Sequence, residues 1–277
     1  MVKHLLVEMN WKEAEDAFGK YNMAILPGSN LHPYGLSCPL GYGIYSTQEI
    51  ADRVGKRTGV VVLPMVQYGY VSHHGSFPGT IGVKSSTYTN YLKDICGWLN
   101  KWGVKKVLFI PGCGGNVAAV RQVADYIRTK WNMLGATCGS GPENQDWVKY
   151  KKNGGEGLTN QSSVMLYLRP DLVDVSRETY EGHKKTFGDK FELRDHSIVY
   201  FKGGRVNLHL RTKDITDTGG WGVPKDEVDY TTEASAVLGE AILKAQVDYM
   251  IDFIEEFKKI DIPPPYLYSK TGIDYPF

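Results

Sequence analysis

The sequence lacks an excess of charge of either sign, since 32 lysines and arginines are balanced by 31 aspartates and glutamates in 277 residues. Such a chain has no long-range field that would attract nucleic acid or an anionic membrane, so we expect neither as a partner. It also lacks the run of about 18 apolar residues that a spanning helix requires. Glu8 falls where a signal peptide would still be apolar. We therefore expect a soluble, cytoplasmic protein that acts on a small molecule.

Cysteine is scarce as well. The four residues Cys38, Cys96, Cys113 and Cys138 have no Cys-x-x-Cys spacing, and they are too few for a disulfide framework. We expect reduced thiols. Aromatic residues are plentiful, with 18 tyrosines and 6 tryptophans, which suits either pocket walls or subunit interfaces.

Short apolar runs bounded by glycine and proline alternate with segments of helical period. The runs span residues 23–26, 59–64 and 106–112, and the helical segments span residues 46–56, 86–102 and 116–130. This alternation predicts an α/β fold with a mostly parallel sheet covered on both faces. Ligands of such sheets bind beyond the carboxyl ends of the strands, so the loops that follow the three runs should meet at one mouth.

The second half of the chain is less regular. We expect a polar excursion near residues 134–160, a helix from about residue 161 to Arg169, and a hairpin that turns at Gly203-Gly204. A long C-terminal helix is expected near residues 232–259. Length and 42% hydrophobic content favour a single domain over residues 1–277.

Five segments, in the right order, resemble motifs of the creatininase family of amidohydrolases. Residues 28–43 resemble the family loop G-S-T-E-Q-H-G-P-H-L-P-L-G-T-D. The other segments are residues 76–81, similar to G-F-P-G-T-I; residues 111–116, similar to N-G-H-G-G-N; residues 161–173, similar to E-T-S-L-M-L-x-L-R-P-E-L-V; and residues 220–224, similar to G-V-W-G-D-P. The chain therefore resembles a divergent creatininase.

The resemblance implies a three-layer α/β/α sandwich, a homo-oligomer that is commonly a hexamer, and hydrolysis by water bound to two divalent metals. The family's loop supplies Glu, His and Asp ligands. Here Gly43 stands at the Asp position, Tyr34 near the His position, and Leu31 or His32 at the Glu position, while Cys113 replaces an imidazole. A two-metal site needs several carboxylate and imidazole ligands. We expect one divalent ion at most, zinc or manganese, or none.

His32, His74 and Glu156 are the candidate ligands of one such ion. His74 is also the candidate general base, because a neutral imidazole accepts a proton near neutral pH. Glu156 matches a Gly-Glu of the family if three residues are inserted before the next helix; otherwise Thr159 takes that position. The alternatives are loop histidines bonded to backbone carbonyls and a solvated glutamate. We expect His73 to point away from the site.

Cys113, Gly114, Gly115 and Asn116 form a predicted strand-to-helix turn whose amides can bind an oxyanion or a substrate carboxylate. The Cys113 thiol at this turn is a candidate nucleophile, and the alternative is a small buried residue. The rest of the predicted site comprises the catalytic candidates Tyr34 and Glu156 and the substrate-binding candidates Ser29, Asn30 and Trp221.

Two classes of function remain open. The first is a hydrolase of a small cyclic polar substrate: a cyclic amide or, as in a branch resembling ring-opening hydrolases of inositol catabolism, a diketone such as 3-dehydro-scyllo-inosose. A 1,3-diketone has adjacent electron sinks, so one base and one oxyanion stabiliser, with one metal at most, suffice for cleavage. The second is a non-catalytic ligand-binding or scaffolding protein that has kept the fold and lost the binuclear site.

Overall fold

The computed structural model describes residues 3–138, 158–177, 184, 188, 190–195, 198–220 and 234–264. Four parallel strands form a sheet in the order β2-β1-β3-β4. These strands are β1 (Met23–Gly28), β2 (Val61–Val62), β3 (Lys106–Pro111) and β4 (Leu134–Thr137). The helices are α1 (Trp11–Tyr21), α2 (Tyr42–Thr58), α3 (Ser85–Lys101), α4 (Val117–Trp131), α5 (Leu158–Leu168), α6 (Thr212–Ile215) and α7 (Ala236–Lys259).

Alternate residues of the central strands face two different helical layers. Ala24 and Leu26 of β1 pack into a core with α1, α3 and α4, whereas Met23 and Ile25 pack into a core with α2, α5 and α7. Because side chains alternate across a strand, a strand that is apolar throughout is buried on both faces. The expected three-layer α/β/α sandwich with a parallel sheet is confirmed.

Helix α1 and strand β4 are among the elements that were not expected from the sequence. Helix α1 begins with a capping box, in which the Asn10 side chain accepts from the amide of Glu13 and the Glu13 carboxylate accepts from the amide of Asn10. Strand β4 pairs with β3 from Leu134 to Thr137, at the start of the expected polar excursion, and residues 139–157 of that excursion lie outside the described residues.

A second, antiparallel sheet contains β5 (Phe191–Asp195), β6 (Ile198–Phe201) and β7 (Gly204–Asn207). Lys202 and Gly203 connect β6 to β7 with φ of 50° and 77°, the left-handed values of a two-residue hairpin turn. The predicted hairpin is present, with its turn at Lys202-Gly203, one residue before the expected Gly203-Gly204. No helix in the described part of the chain is long and apolar enough to cross a lipid bilayer.

The loops that follow β1, β2 and β3 meet at the carboxyl edge of the parallel sheet. The amide of Gly112 donates to the carbonyl of Gly28 at 2.6 Å, and the amide of Ser29 donates to the carbonyl of Val66 at 2.8 Å. Leu31 also forms an antiparallel bridge with Ile81. The three loops therefore meet at one mouth, as predicted. The loop of residues 28–43 is hydrogen-bonded to the loops that follow β2 and β3.

Candidate functional site

His32 and Tyr34 form a buried pair in the loop after β1. The His32 Nδ1 atom lies 3.1 Å from the carbonyl oxygen of Pro33. A carbonyl only accepts, so in the neutral ring Nδ1 carries the hydrogen and Nε2 is left as an acceptor. The Tyr34 hydroxyl, 2.8 Å from Nε2, therefore donates to it. This chain of two bonds fixes both the tautomer of the imidazole and the direction of the phenol.

His74 lies against the same pair. Its ring stacks on that of His32, with centroids 4.2 Å apart and planes inclined by 6°. Its Nδ1 atom is 2.8 Å from the Oγ1 atom of Thr212, the fully buried first residue of α6. Thr212 was missed in the sequence because no motif links it to His74, 138 residues earlier.

His73 is part of this cluster. The expectation that it points away is wrong, because it is buried and its ring lies 4.2 Å from that of His74. A Cβ added to Gly115 would stand 2.4 Å from the His73 Cε1 atom. The imidazole therefore packs on the glycine turn, and its close approach requires glycine there.

Asn30 and Asn116 are fully buried and hold the segment after β2 in place. Asn30 Oδ1 accepts from the amide of Gly69 at 2.6 Å, and Asn30 Nδ2 donates to the carbonyl of Tyr70 at 3.2 Å. Asn116 Oδ1 accepts from the amide of Tyr70 at 2.8 Å. Both side chains thus make structural bonds, and their role in substrate binding stays a prediction.

Ser29 and Gly43 lie beside Tyr34. A Cβ built on Gly43 would stand 2.4 Å from Ser29 Oγ, 2.5 Å from the Tyr34 hydroxyl and 2.9 Å from the carbonyl oxygen of Gly112. Real Cβ atoms are not found at such distances. Position 43 therefore takes no side chain without a shift of its neighbours.

The glycine turn joins β3 to α4. Cys113 has an extended backbone, Gly114–Asn116 form one turn of 3-10 helix, and α4 follows. Burial raises the pKa of the nearby Tyr88 hydroxyl far above its usual range, and a negative charge on Cys113 acts in the same direction. Cys113 is itself buried, as the packing alternative expects, and its role as a nucleophile stays a prediction.

Two predicted site residues, Glu156 and Trp221, lie outside the described residues. Among those that the structure does describe, no group of three or more histidine, cysteine, aspartate or glutamate side chains could hold a metal ion. His32 and His74 are brought together, as predicted, but their rings are nearly parallel. A ring nitrogen ligates through a lone pair in the ring plane, so the lone pairs of two parallel stacked rings do not converge on one ion.

The sequence profile described as "Creatininase: Creatinine amidohydrolase" matches residues 7–254 of this chain. The chain belongs to the creatininase family of hydrolases. The 3-dehydro-scyllo-inosose hydrolase of Thermotoga maritima is 26% identical over 285 residues, covering 95% of this chain and 87% of its own length. The creatinine amidohydrolase of Pseudomonas putida is 26% identical over 201 residues, covering 61% of this chain and 74% of its own.

Solved structures of creatininases share the fold of this chain. A crystal structure of creatinine amidohydrolase superposes with a TM-score of 0.72 and 21% identity, covering 95% of this chain and all of the other. A zinc form and a manganese form of creatininase share the fold, with TM-scores of 0.70 and 0.68.

The residues of this family member do not fit a two-metal centre at Gly43, where the resemblance to the family's loop places an aspartate. Gly43 offers no ligand, and the space for a side chain there is taken by the hydroxyls of Tyr34 and Ser29. The lone pair of His32 Nε2 is engaged by Tyr34. What the described residues offer instead is imidazole and phenol chemistry.

Proposed function

We propose that the protein is a hydrolase that opens the ring of a small, polar, cyclic 1,3-diketone, the class of substrate to which 3-dehydro-scyllo-inosose belongs. The observation that carries this proposal is the contact between the buried imidazoles of His32 and His74, with Thr212 bonded to His74. Imidazole exchanges protons near neutral pH. The likeness to the Thermotoga maritima hydrolase, which covers 95% of this chain, supports the choice of substrate class.

His74 is the proposed general base. As the oxygen of a water molecule bonds to one ring carbonyl carbon, a proton of that water passes to the neutral imidazole. The bond from the attacked carbonyl carbon to the carbon that lies between the two carbonyl groups then breaks, and its electron pair forms the enolate of the second carbonyl. The imidazolium returns the proton to this enolate. One water is consumed, and the product is an open-chain keto acid.

The glycine turn has a role in the same reaction. Negative charge develops first on the attacked carbonyl oxygen, and backbone amides aimed at such an oxygen stabilise it. The amides of Gly114 and Gly115 lie in the 3-10 turn that precedes α4, against which His73 packs. The proposal places the attacked carbonyl at these amides.

A diketone suits this set of residues better than an amide does. The leaving carbanion of a 1,3-diketone is stabilised by the second carbonyl, whereas an amide needs a polarised carbonyl and a protonated leaving nitrogen. Relatives with zinc or manganese have a Lewis acid for that purpose. The described residues of this chain supply proton transfer and hydrogen bonding. These suffice for a diketone, which needs less activation than an amide.

The test is a comparison of two substrates. Purified protein is incubated in ¹⁸O-labelled water with 3-dehydro-scyllo-inosose and, separately, with creatinine, with and without a chelator. We expect mass spectrometry to find an open-chain acid from the diketone with one labelled oxygen in its new carboxylate. Turnover of creatinine alone would contradict the proposal.

The rival function is a ligand-binding protein without catalysis. It predicts that the diketone raises the melting temperature and is recovered unchanged. The same samples distinguish these outcomes, because the melting shift reports binding and the mass spectrum reports turnover.

A further inference from the structure

The Tyr34 side chain fills the space beside Gly43, although the backbone conformation there does not require glycine. Gly43 lies in the first turn of α2 with no positive φ, so the backbone conformation accepts any residue. The obstacle is the surroundings: the Tyr34 hydroxyl and Ser29 Oγ stand within 2.5 Å of the missing Cβ. Glycine at this position is therefore a consequence of what surrounds it.

Two contacts hold the Tyr34 phenol at this point, and a third holds its partner His32. Its hydroxyl donates to His32 Nε2 at 2.8 Å, its ring meets that of Tyr42 edge-on at 4.6 Å, and the ring of His32 is clamped in turn by the stack on His74. A side chain in such packing does not move aside without loss of several contacts. The phenol is therefore held in a fixed position against Gly43.

Ser29 supplies a second, independent observation. Its Oγ atom is a buried side-chain atom of the described chain with no hydrogen-bond partner, although buried hydroxyls are normally paired. This hydroxyl lies 2.4 Å from the position of the missing Cβ. It is therefore a polar group directed at position 43, where the family's loop has a carboxylate and this chain has none.

We infer that the Tyr34 phenol, held by His32, has replaced the carboxylate at position 43, so that the site cannot form the two-cation centre of its family. Tyr34 and His32 together place a neutral hydroxyl where the family has an anionic ligand. The hydrogen bond between them occupies the Nε2 lone pair of His32, which is then not free to bind a metal. The site therefore retains one divalent ion at most. This inference does not depend on the identity of the substrate.

The first experiment measures metal directly on the full chain. Protein stripped with a chelator is incubated with excess Zn²⁺ or Mn²⁺, desalted and analysed by plasma mass spectrometry. We expect one ion per chain or fewer. Two retained ions per chain would overturn the inference, whatever the protein does to a substrate.

The second experiment tests whether Tyr34 closes position 43. Gly43→Ala is compared with Gly41→Ala, because, among the described residues, a Cβ at Gly41 meets only the side chain of Tyr45, at 3.3 Å. We expect Gly43→Ala to lower the melting temperature by about 3 °C or more, since it overpacks a filled site, and Gly41→Ala to change it by less.

Both alanine variants are then repeated in the Tyr34→Phe background. Removing the hydroxyl takes away one of the three close contacts at Gly43, so the loss caused by Gly43→Ala should shrink there, while the effect of Gly41→Ala stays the same. An equal loss in both backgrounds would show that Tyr34 is not the obstacle. If Gly43→Ala yields no folded protein, the metal count of the unmodified chain decides the inference.

Discussion

The imidazole rings of His32 and His74 lie almost parallel, 4.2 Å apart between centroids. One ring is bonded to a phenol and the other to a threonine hydroxyl. Each imidazole is therefore oriented by its own partner, although the two rings share one contact face. Their roles can be separated by changing one partner at a time.

Replacement of His74 tests the proposed base. His74→Gln keeps a polar side chain in a buried position and removes the proton acceptor, so we expect kcat for diketone cleavage to fall by about a hundredfold or more. The measurement is steady-state kinetics on folded variants of equal purity. His209→Gln, at an exposed histidine of the same chain, is the matched control and should keep full activity. Equal turnover by both variants would remove His74 from the mechanism.

Replacement of Thr212 tests the partner of His74. Thr212→Val deletes a buried hydroxyl and leaves Nδ1 of His74 without this bond, so we expect a loss of about 1–3 kcal/mol in the free energy of unfolding. Thr89→Val is the control, because the Thr89 hydroxyl is buried without a partner in the described chain; there we expect no loss. Chemical denaturation measures both. Equal effects would show that the Thr212 bond contributes nothing.

The two buried asparagines separate a structural role from a substrate-binding role. Asn30→Ala leaves the amide of Gly69 without its acceptor, and we expect it to lower the free energy of unfolding by about 1–3 kcal/mol. Asn207→Ala, at an exposed strand residue, should change it by less than about 0.5 kcal/mol. A variant of Asn30 with unchanged stability and a raised KM would instead assign the side chain to the substrate.

The stability of the fold should fall at alkaline pH. Burial raises the pKa of Cys96 to about 12, while an exposed thiol in the unfolded chain has a pKa of about 8.5. The folded state thus holds this proton where the unfolded state has lost it. Stability is therefore lost as pH rises above about 8.5, by up to about 1.4 kcal/mol per pH unit for this thiol.

Unfolding at pH 8 and pH 10 measures this alkaline loss. It should be smaller in Cys96→Ala than in the unmodified chain, whereas the half-buried Cys38 serves as the control, with Cys38→Ala keeping the loss. An unchanged loss in Cys96→Ala would show that the thiol does not cause it.

The parts of the fold that could be predicted are those in which the local sequence determines the element. β1, and β3 after Lys106, are apolar because both faces are covered, and that pattern is visible in the sequence. β4 was missed because Leu134-Gly-Ala-Thr137 is short and only partly buried, and its pairing with β3 is not encoded locally. Helix α1 was overlooked although its Asn10 to Glu13 capping box was readable.

The site was predictable where motif positions indicated it and not where it depended on packing. His32 and His74 were chosen from their places in two motifs, and the fold brings them into contact. Neither the inward direction of His73 nor the bond from Thr212 has a sequence signal, since both depend on how distant segments pack. The closure of position 43 by Tyr34 is of the same kind: a glycine in the sequence does not reveal which side chain fills its space.

The hydrogen bonds that Asn30 and Asn116 accept at the mouth of the sheet protect two backbone amides from exchange with solvent. The backbone amides of Gly69 and Tyr70 donate to the side-chain oxygens of Asn30 and Asn116, both of them inaccessible to water. Deuterium can replace these two protons only when the hydrogen bonds to the asparagine side chains break. Their exchange rates, read against those of β1 and β3, therefore report how often the mouth opens independently of global unfolding.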